Sequence, residues 1–336
     1  MLRFPIKNNN SSFNQSKDYS KERKELKMID VPMKKNNVPY KGFDCSVFNE
    51  DDVVLLVDGD WLAFSATSKE MERYLEYKNS GEILEFSGYK EFKKYCIEND
   101  IDYSPSNAER KQRNHNLAIV FAKSSIKKKI AKGIEETGAT SVVIFCGSDG
   151  NDRALLPLPK LNNVDSFVYK GSREVGWIPD TLPEVKTWLM DNWMSWWSVS
   201  VEADDSITMA KASLDDRGIK NYIYAIDKDF NGELYGGMYI VSHQEHAEWF
   251  ENTPENNLGY IKAIKTEGGS DKMTGRGDMF LSQQIILSDP ADNYSAKAVL
   301  KKYGTLKSFG YKSCEKYLMQ ARDRKHLGEL VLDHFV

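Results

Sequence analysis

Short apolar runs that end in acidic residues dominate the pattern of this chain. Val53-Val54-Leu55-Leu56-Val57 runs into Asp58-Gly59-Asp60, Val142-Val143-Ile144-Phe145 is followed by Asp149, and Tyr222-Ile223-Tyr224-Ala225-Ile226 runs into Asp227-Lys228-Asp229. Continuous apolar runs of this length predict buried strands. Leu117, Val120, Phe121, Ile126, Ile130 and Ile134 recur at helical spacing and predict a helix over 116–136, with Gly138 as its stop. Further helices are predicted over 89–98, 204–217 and 279–287, and a short one through Trp61-Leu62-Ala63-Phe64. Val185, Trp188, Leu189, Trp193, Trp196 and Trp197 also follow helical spacing and predict a helix packed on the core.

Residues 73–86 alternate apolar and polar around Asn79-Ser80-Gly81, which predicts a hairpin. The polar stretch that follows, to about 113, reads as loop, so 68–113 is an insertion on the sheet. Gly236–Val241 and Tyr260–Ile264 are later strands. From about 276 the pattern is short helices and glycine turns. Residues 1 to about 50 are rich in Lys, Asn and Ser, with little periodicity, and read as a flexible, mildly basic arm.

A strand–helix–strand order favours right-handed parallel crossovers. The fold class is therefore α/β, with a central, mainly parallel sheet flanked by helices. In such a sheet functional groups gather at the carboxyl ends of the strands. Acidic residues from Asp58, Asp149, the segment Val201-Glu202-Ala203-Asp204-Asp205 and Asp227-Lys228-Asp229 would meet there and repel one another unless cations are bound. Crowded carboxylates point to divalent-metal chemistry, and phosphodiesters are the substrates most often handled that way.

Composition narrows this only a little. The chain has 336 residues, a prior for about two domains, and is 40% hydrophobic, enough for a core. Its net charge of −4 neither announces nor excludes a nucleic-acid partner. The 4 cysteines are scattered without CxxC spacing, so no disulfide framework or zinc site is suggested. With no signal peptide and no spanning apolar run, a cytoplasmic protein without membrane contact is expected.

Each acidic motif has an ordinary alternative. Glu202 and Asp205 could serve only the helix they open. Asp227 and Asp229 would share one side of an extended backbone, or simply mark a polar exit from the strand. Asp289-Pro290-Ala291-Asp292-Asn293 could be a turn after its helix.

Taken together, Val57-Asp58-Gly59, Glu202-Ala203-Asp204-Asp205, Asp227-Lys228-Asp229 and Asp289-x-x-Asp292-Asn293 resemble, in order, the metal-site signature of the flap endonuclease / 5′-3′ exonuclease family. Tyr169-Lys170-Gly171-Ser172-Arg173 resembles that family's basic motif, and Asp149 falls where it has a further acidic ligand. A short arch makes bacteriophage-type exonucleases the nearest match within it. The resemblance covers about 53–320. Ser288 where relatives have glycine, and a turn at Phe309-Gly310-Tyr311-Lys312-Ser313 with fewer glycines, are departures.

The resemblance implies a PIN-like 5′-nuclease fold with a C-terminal helix-turn-helix-like subdomain. Its expected parts are an arm over 1–50, a nuclease domain over 51–275 with an arch region at 174–200, and a helical duplex-binding subdomain over 276–336. It implies two Mg²⁺ ions, with Mn²⁺ able to substitute, held by Asp58, Asp149, Glu202, Asp204, Asp205, Asp227, Asp229, Asp289 and Asp292. Lys170 and Arg173 would neutralise charge on the phosphate. Tyr169, Lys297, Lys301, Lys302, Gly310, Lys312 and Ser313 would contact DNA. For Trp177, Trp188, Trp193, Trp196 and Trp197, the alternative to core packing is that one or two of them stack on unpaired bases. The implied partner is DNA with a 5′ end or flap, or an RNA–DNA hybrid, handled by a monomer, with replication proteins as candidate partners and the host cytoplasm as the setting if the source is viral. Two alternatives stay open: a PIN-like ribonuclease, and a non-catalytic nucleic-acid-binding protein on the same scaffold.

Overall fold

In the computed structural model the described residues are 43–335, apart from 80, 115, 152–177, 234, 242–244, 252, 254–256, 267–268, 270, 288–295 and 297–308; for 149–151 and 200 only the backbone is described. The central strand, β1 (Val53–Asp58), is buried along its apolar run. It pairs in parallel with β5 (Ser141–Asn151) on one side and β7 (Lys220–Ala225) on the other. The sheet extends to β6 (Met194–Ser200) at one edge and to β8 (Gly236–Ile240) and the short antiparallel β9 (Glu248–Phe250) at the other, in the order β6-β5-β1-β7-β8-β9. This is the mainly parallel sheet expected.

Strand alternation sorts the side chains between two layers. Val54, Leu56, Val143, Phe145, Ile223 and Ala225 face α5 (Ala203–Asp215), which buries Ala203, Ile207, Ala210 and Leu214 against them. On the other face, α3 (Ala118–Thr137) buries Ala122, Ile126 and Ile130, and Gly133 lies against Leu55 and Tyr224. Helices α1 (Gly59–Thr67) and α4 (Leu182–Asn192) pack beside α3.

The insertion folds as its own small sheet. The expected hairpin is β2 (Met71–Asn79) with β3 (Glu82–Phe86), and α2 (Tyr89–Glu98) follows as expected. The stretch to 113 is not all loop: β4 (Glu109–Asn114) pairs with the other edge of β2. Phe92, Cys96, Phe86, Leu75 and Ala108 form a separate apolar cluster under it.

Other expectations are corrected. Residues 43–50 do not behave as arm: Cys45 and Phe48 are buried in the main core, and the Arg217 guanidinium donates to the carbonyls of Cys45 and Phe48. The helix expected through Trp197 stops at Asn192, and Trp196 and Trp197 belong to edge strand β6. Much of the expected arch segment, 182–200, is therefore helix and strand of the central layer. From 277 onward the elements among the described residues are helices, but they do not stand apart from the strands before them. The antiparallel pair β10 (Tyr260–Lys265) and β11 (Asp271–Arg276) shares one apolar cluster with α6 (Gly277–Leu287), α7 (Tyr311–Leu318) and α8 (Arg324–Asp333). The expected boundary at 275/276 thus falls within one packed unit.

Candidate metal centre

Asp58 closes β1 and opens α1 at once. Its carboxylate accepts the Trp61 backbone N–H at 3.0 Å, an N-cap that holds the side chain at the strand end. Gly59 allows this close junction, because a Cβ there would stand 2.6 Å from Cys146 Sγ and 2.8 Å from the Phe145 carbonyl.

Burial raises the Asp58 carboxyl to about 7, and the negative charges of Asp60, Asp204 and Asp227 push in the same direction, opposed by the Trp61 N–H. Carboxylates from the ends of β1 and β7 and the start of α5 are therefore close enough to act on one another's charge. The buried Cys146 thiol is held well above its usual range, first by burial and then by the charge of Asp60.

Glu202 is the N-cap of α5, and Asp205 closes a reciprocal capping box by accepting the Glu202 N–H at 3.2 Å. The ordinary reading of Asp205 is realised: it holds the helix end together. Asp204, between them, has its Oδ1 on the Asp205 N–H at 2.8 Å and adds its charge to Asp58.

The chain leaves extended geometry at Asp227, which caps a short 3₁₀ turn over Lys228–Gly232 by accepting the Asp229 N–H at 2.9 Å. Asp227 and Asp229 therefore do not share one side of an extended strand. Asp229 turns toward α6, where the Gln284 side-chain amide donates to it at 2.7 Å, and Lys228 pairs with it at 2.9 Å.

Two participants were missed by sequence reasoning. Asp60 accepts the Gly147 N–H at 2.8 Å, joining the ends of β1 and β5. Lys186, from α4, places its ammonium 2.7 Å from Asp60 Oδ1 and 2.6 Å from the Gly147 carbonyl. Asp60 could have been found, since it lies within the Asp58-Gly59-Asp60 motif. Lys186 gives no signal, being one step off the apolar stripe of Val185 and Leu189.

Among the other expected site residues, Gly310 caps α7 and Lys312 and Ser313 are exposed in its first turn. Tyr169, Lys170, Arg173, Asp289, Asp292, Lys297, Lys301 and Lys302 lie outside the described residues, as does the side chain of Asp149. Among the described residues no three His, Cys, Asp or Glu side chains form a ready metal cage. The donor set nevertheless suits a hard divalent cation: the acids are oxygen ligands only, and their mutual repulsion is what a cation would relieve.

No protein-family model matches the chain, and no curated protein matches it. Solved structures do. A bacteriophage T5 protein co-crystallised with metal ions is similar over 84% of this chain and 85% of that chain, at 12% identity and a TM-score of 0.44. A mutant T5 5′-exonuclease is similar over 84% and 83%, at 11% identity and 0.42. A bacteriophage T5 flap endonuclease in a complex with DNA and metal ions is similar over 84% and 87%, at 14% identity and 0.38. These neighbours come from the family whose motifs the sequence resembles. No helix among the described residues is long and apolar enough to cross a membrane.

Proposed function

We propose that this protein is a metal-dependent 5′ nuclease that hydrolyses phosphodiester bonds in DNA, removing nucleotides from 5′ ends or cutting near junctions of single strand and duplex. The observation that carries this reading is the gathering of Asp58, Asp60, Asp204 and Asp227 at the carboxyl ends of parallel strands, with Asp58 held near neutrality. Like charges are not stored in a fold without a compensating cation or a function for the strain.

Asp58, Asp204 and Asp227 would hold magnesium, with Glu202, Asp205, Asp229 and, in the remaining segments, Asp149, Asp289 and Asp292 completing or orienting the ligand set. Such ions would activate water and stabilise the attacking and leaving oxygens of an in-line displacement. The protein's own part is to fix those acids. The Trp61 N–H holds Asp58, the capping box holds Asp204 at the start of α5, and Gln284 holds Asp229. Lys170 and Arg173 would neutralise charge on the phosphate, Arg as a fork and Lys as a point charge.

The test is a panel of 5′-labelled duplex, flap and RNA oligonucleotides, incubated with Mg²⁺ or with EDTA. Cleavage of DNA near the 5′ end in Mg²⁺ and none in EDTA is expected. A preference for single-stranded RNA would make the protein a ribonuclease on this scaffold. Gel shifts of DNA without any cleavage would make it a binding protein.

A further inference from the structure

Trp197 stands on edge strand β6, paired in register with Cys146 of β5, and 44% of it is exposed. The Lys186 ammonium lies 5.3 Å from the centre of its ring, while reaching Asp60 and the Gly147 carbonyl. An ammonium has three N–H donors; one is given to the Gly147 carbonyl and the charge is shared with Asp60, and on a side chain that is 23% exposed this leaves a donor for an incoming anion. Ser148 Oγ donates to the Ser198 carbonyl at 2.9 Å and fixes the same ends of β5 and β6 together.

Exposure alone does not single out this tryptophan. Trp249 is 40% exposed and has Lys220 at 5.2 Å from its ring, yet Lys220 opens β7 at the amino end of the sheet, away from the carboxylates. Trp193 is buried, Trp196 packs on Phe43 in the core, and Trp61 packs on Tyr224. Among the described tryptophans, Trp197 alone combines an exposed indole with a lysine that touches the acidic cluster.

We infer that Trp197 and Lys186 form a subsite for one unpaired nucleotide, whose base stacks on the indole and whose phosphate takes that donor of Lys186. This rests on reading the acidic cluster as the place where a nucleic-acid backbone is handled. Stacking on an exposed aromatic tolerates any base, which suits a strand held without sequence preference. Lys186 links the two recognitions, because the charge beside the ring is the charge anchored to Asp60.

The experiment measures binding by fluorescence anisotropy with the full-length protein, in EDTA and separately in Ca²⁺. The probes are an oligothymidylate of about twelve nucleotides and an abasic strand of the same length. Trp197→Ala should weaken the oligothymidylate roughly tenfold and leave the abasic strand unchanged, while Trp197→Phe recovers most of the loss. Lys186→Met should weaken both probes by similar factors, and Trp249→Ala neither. The inference is overturned if Trp197→Ala leaves oligothymidylate binding unchanged, if it weakens both probes equally, or if the wild-type protein binds oligothymidylate in neither condition. Mg²⁺-dependent cleavage with an indifferent Trp197→Ala would remove the subsite and keep the nuclease. Base-dependent binding by a protein that never cleaves would do the reverse.

Discussion

Charge is gathered at two places in this molecule, in opposite ways. At the carboxyl ends of the strands Asp58, Asp60, Asp204 and Asp227 crowd together, with Lys186 as the ammonium among them. Near the amino ends, Lys211 and Arg276 are buried at 2% and 3% exposure beside Asp215 and Glu233. There the signs alternate. Lys211 pairs with Asp215, Asp215 accepts Asn221 Nδ2 at 2.6 Å, and Arg276 donates to the Glu233 carbonyl at 3.0 Å while lying 3.5 Å over the Phe250 ring. The Lys211–Asp215 pair ties α5 to the start of β7 through Asn221, and the Arg276 guanidinium ties β11 to the turn that follows β7, so these contacts fasten the two halves of the fold. At the other end like charges raise the Asp58 carboxyl, with Lys186 among them as a counter-charge, so the cluster costs stability that a bound cation would restore. The contrast separates architecture from chemistry: substitutions at one end should change stability, and at the other end turnover.

The largest expected effect is at the acidic end. Asp204→Asn should lower cleavage roughly a hundredfold or more, while DNA binding stays within a few-fold and the metal-free protein melts no lower than wild type. Turnover near wild type would remove Asp204 from the site and leave the contrast without its functional half. At the paired end, Arg276→Met should cost about 2 kcal/mol, because the Glu233 carbonyl loses its donor and the Phe250 ring loses the guanidinium above it. Urea unfolding measures it. A loss below 1 kcal/mol would mean that the two halves are held by apolar contacts alone. Burial lowers the Arg276 guanidinium to about 10, so even here desolvation limits what the buried cation contributes.

A pH series sharpens the same comparison. Asp58 has a folded value of about 7 against an ordinary 3.8. A carboxyl raised on folding holds its proton longer in the folded state, so stability is greatest in acid and falls as the pH rises from about 4 to about 7. For this partly exposed group the loss should be roughly 2–3 kcal/mol after solvent screening. Asp58→Asn should flatten that part of the profile, and on the proposed metal-dependent reading so should millimolar Mg²⁺, by binding the folded state. Coincident thermal melts with and without Mg²⁺ at pH 7.5 would count against a clustered site.

How much of this was legible follows from what each residue contacts. Val53–Val57 announces a central strand because both faces are buried, and Asp58 announces itself as the end of that run. β4, with the sequence Glu-Arg-Lys-Gln-Arg-Asn, could not be read, since it carries no apolar residue and is defined only by pairing with β2. Trp196 and Trp197 misled because their spacing continues the stripe of Val185, Trp188 and Leu189 past the point where α4 ends and β6 begins. Phe48 lies in a polar stretch whose composition outweighs one buried ring. Lys186 meets Asp60 only through the crossover that brings α4 beside β5, and no local pattern records that meeting.

The smallest expected effect lies where the two regions meet. Leu281 of α6 packs on Gly232, where a Cβ would stand 2.7 Å from its Cδ2, and Gln284 one turn on reaches Asp229. The C-terminal unit thereby touches both ends of the 3₁₀ turn that begins at Asp227. Gln284→Leu removes the amide and keeps the volume, so Asp229 retains Lys228 but loses a charge-assisted hydrogen bond. Stability should fall by about 1 kcal/mol. If this contact sets the position of Asp229 toward a metal, the Mg²⁺ concentration needed for half-maximal cleavage should rise several-fold while binding of duplex DNA stays constant. A loss of stability with an unchanged Mg²⁺ requirement would assign Gln284 to the joint alone and restrict the acidic centre to Asp58, Asp60, Asp204 and Asp227.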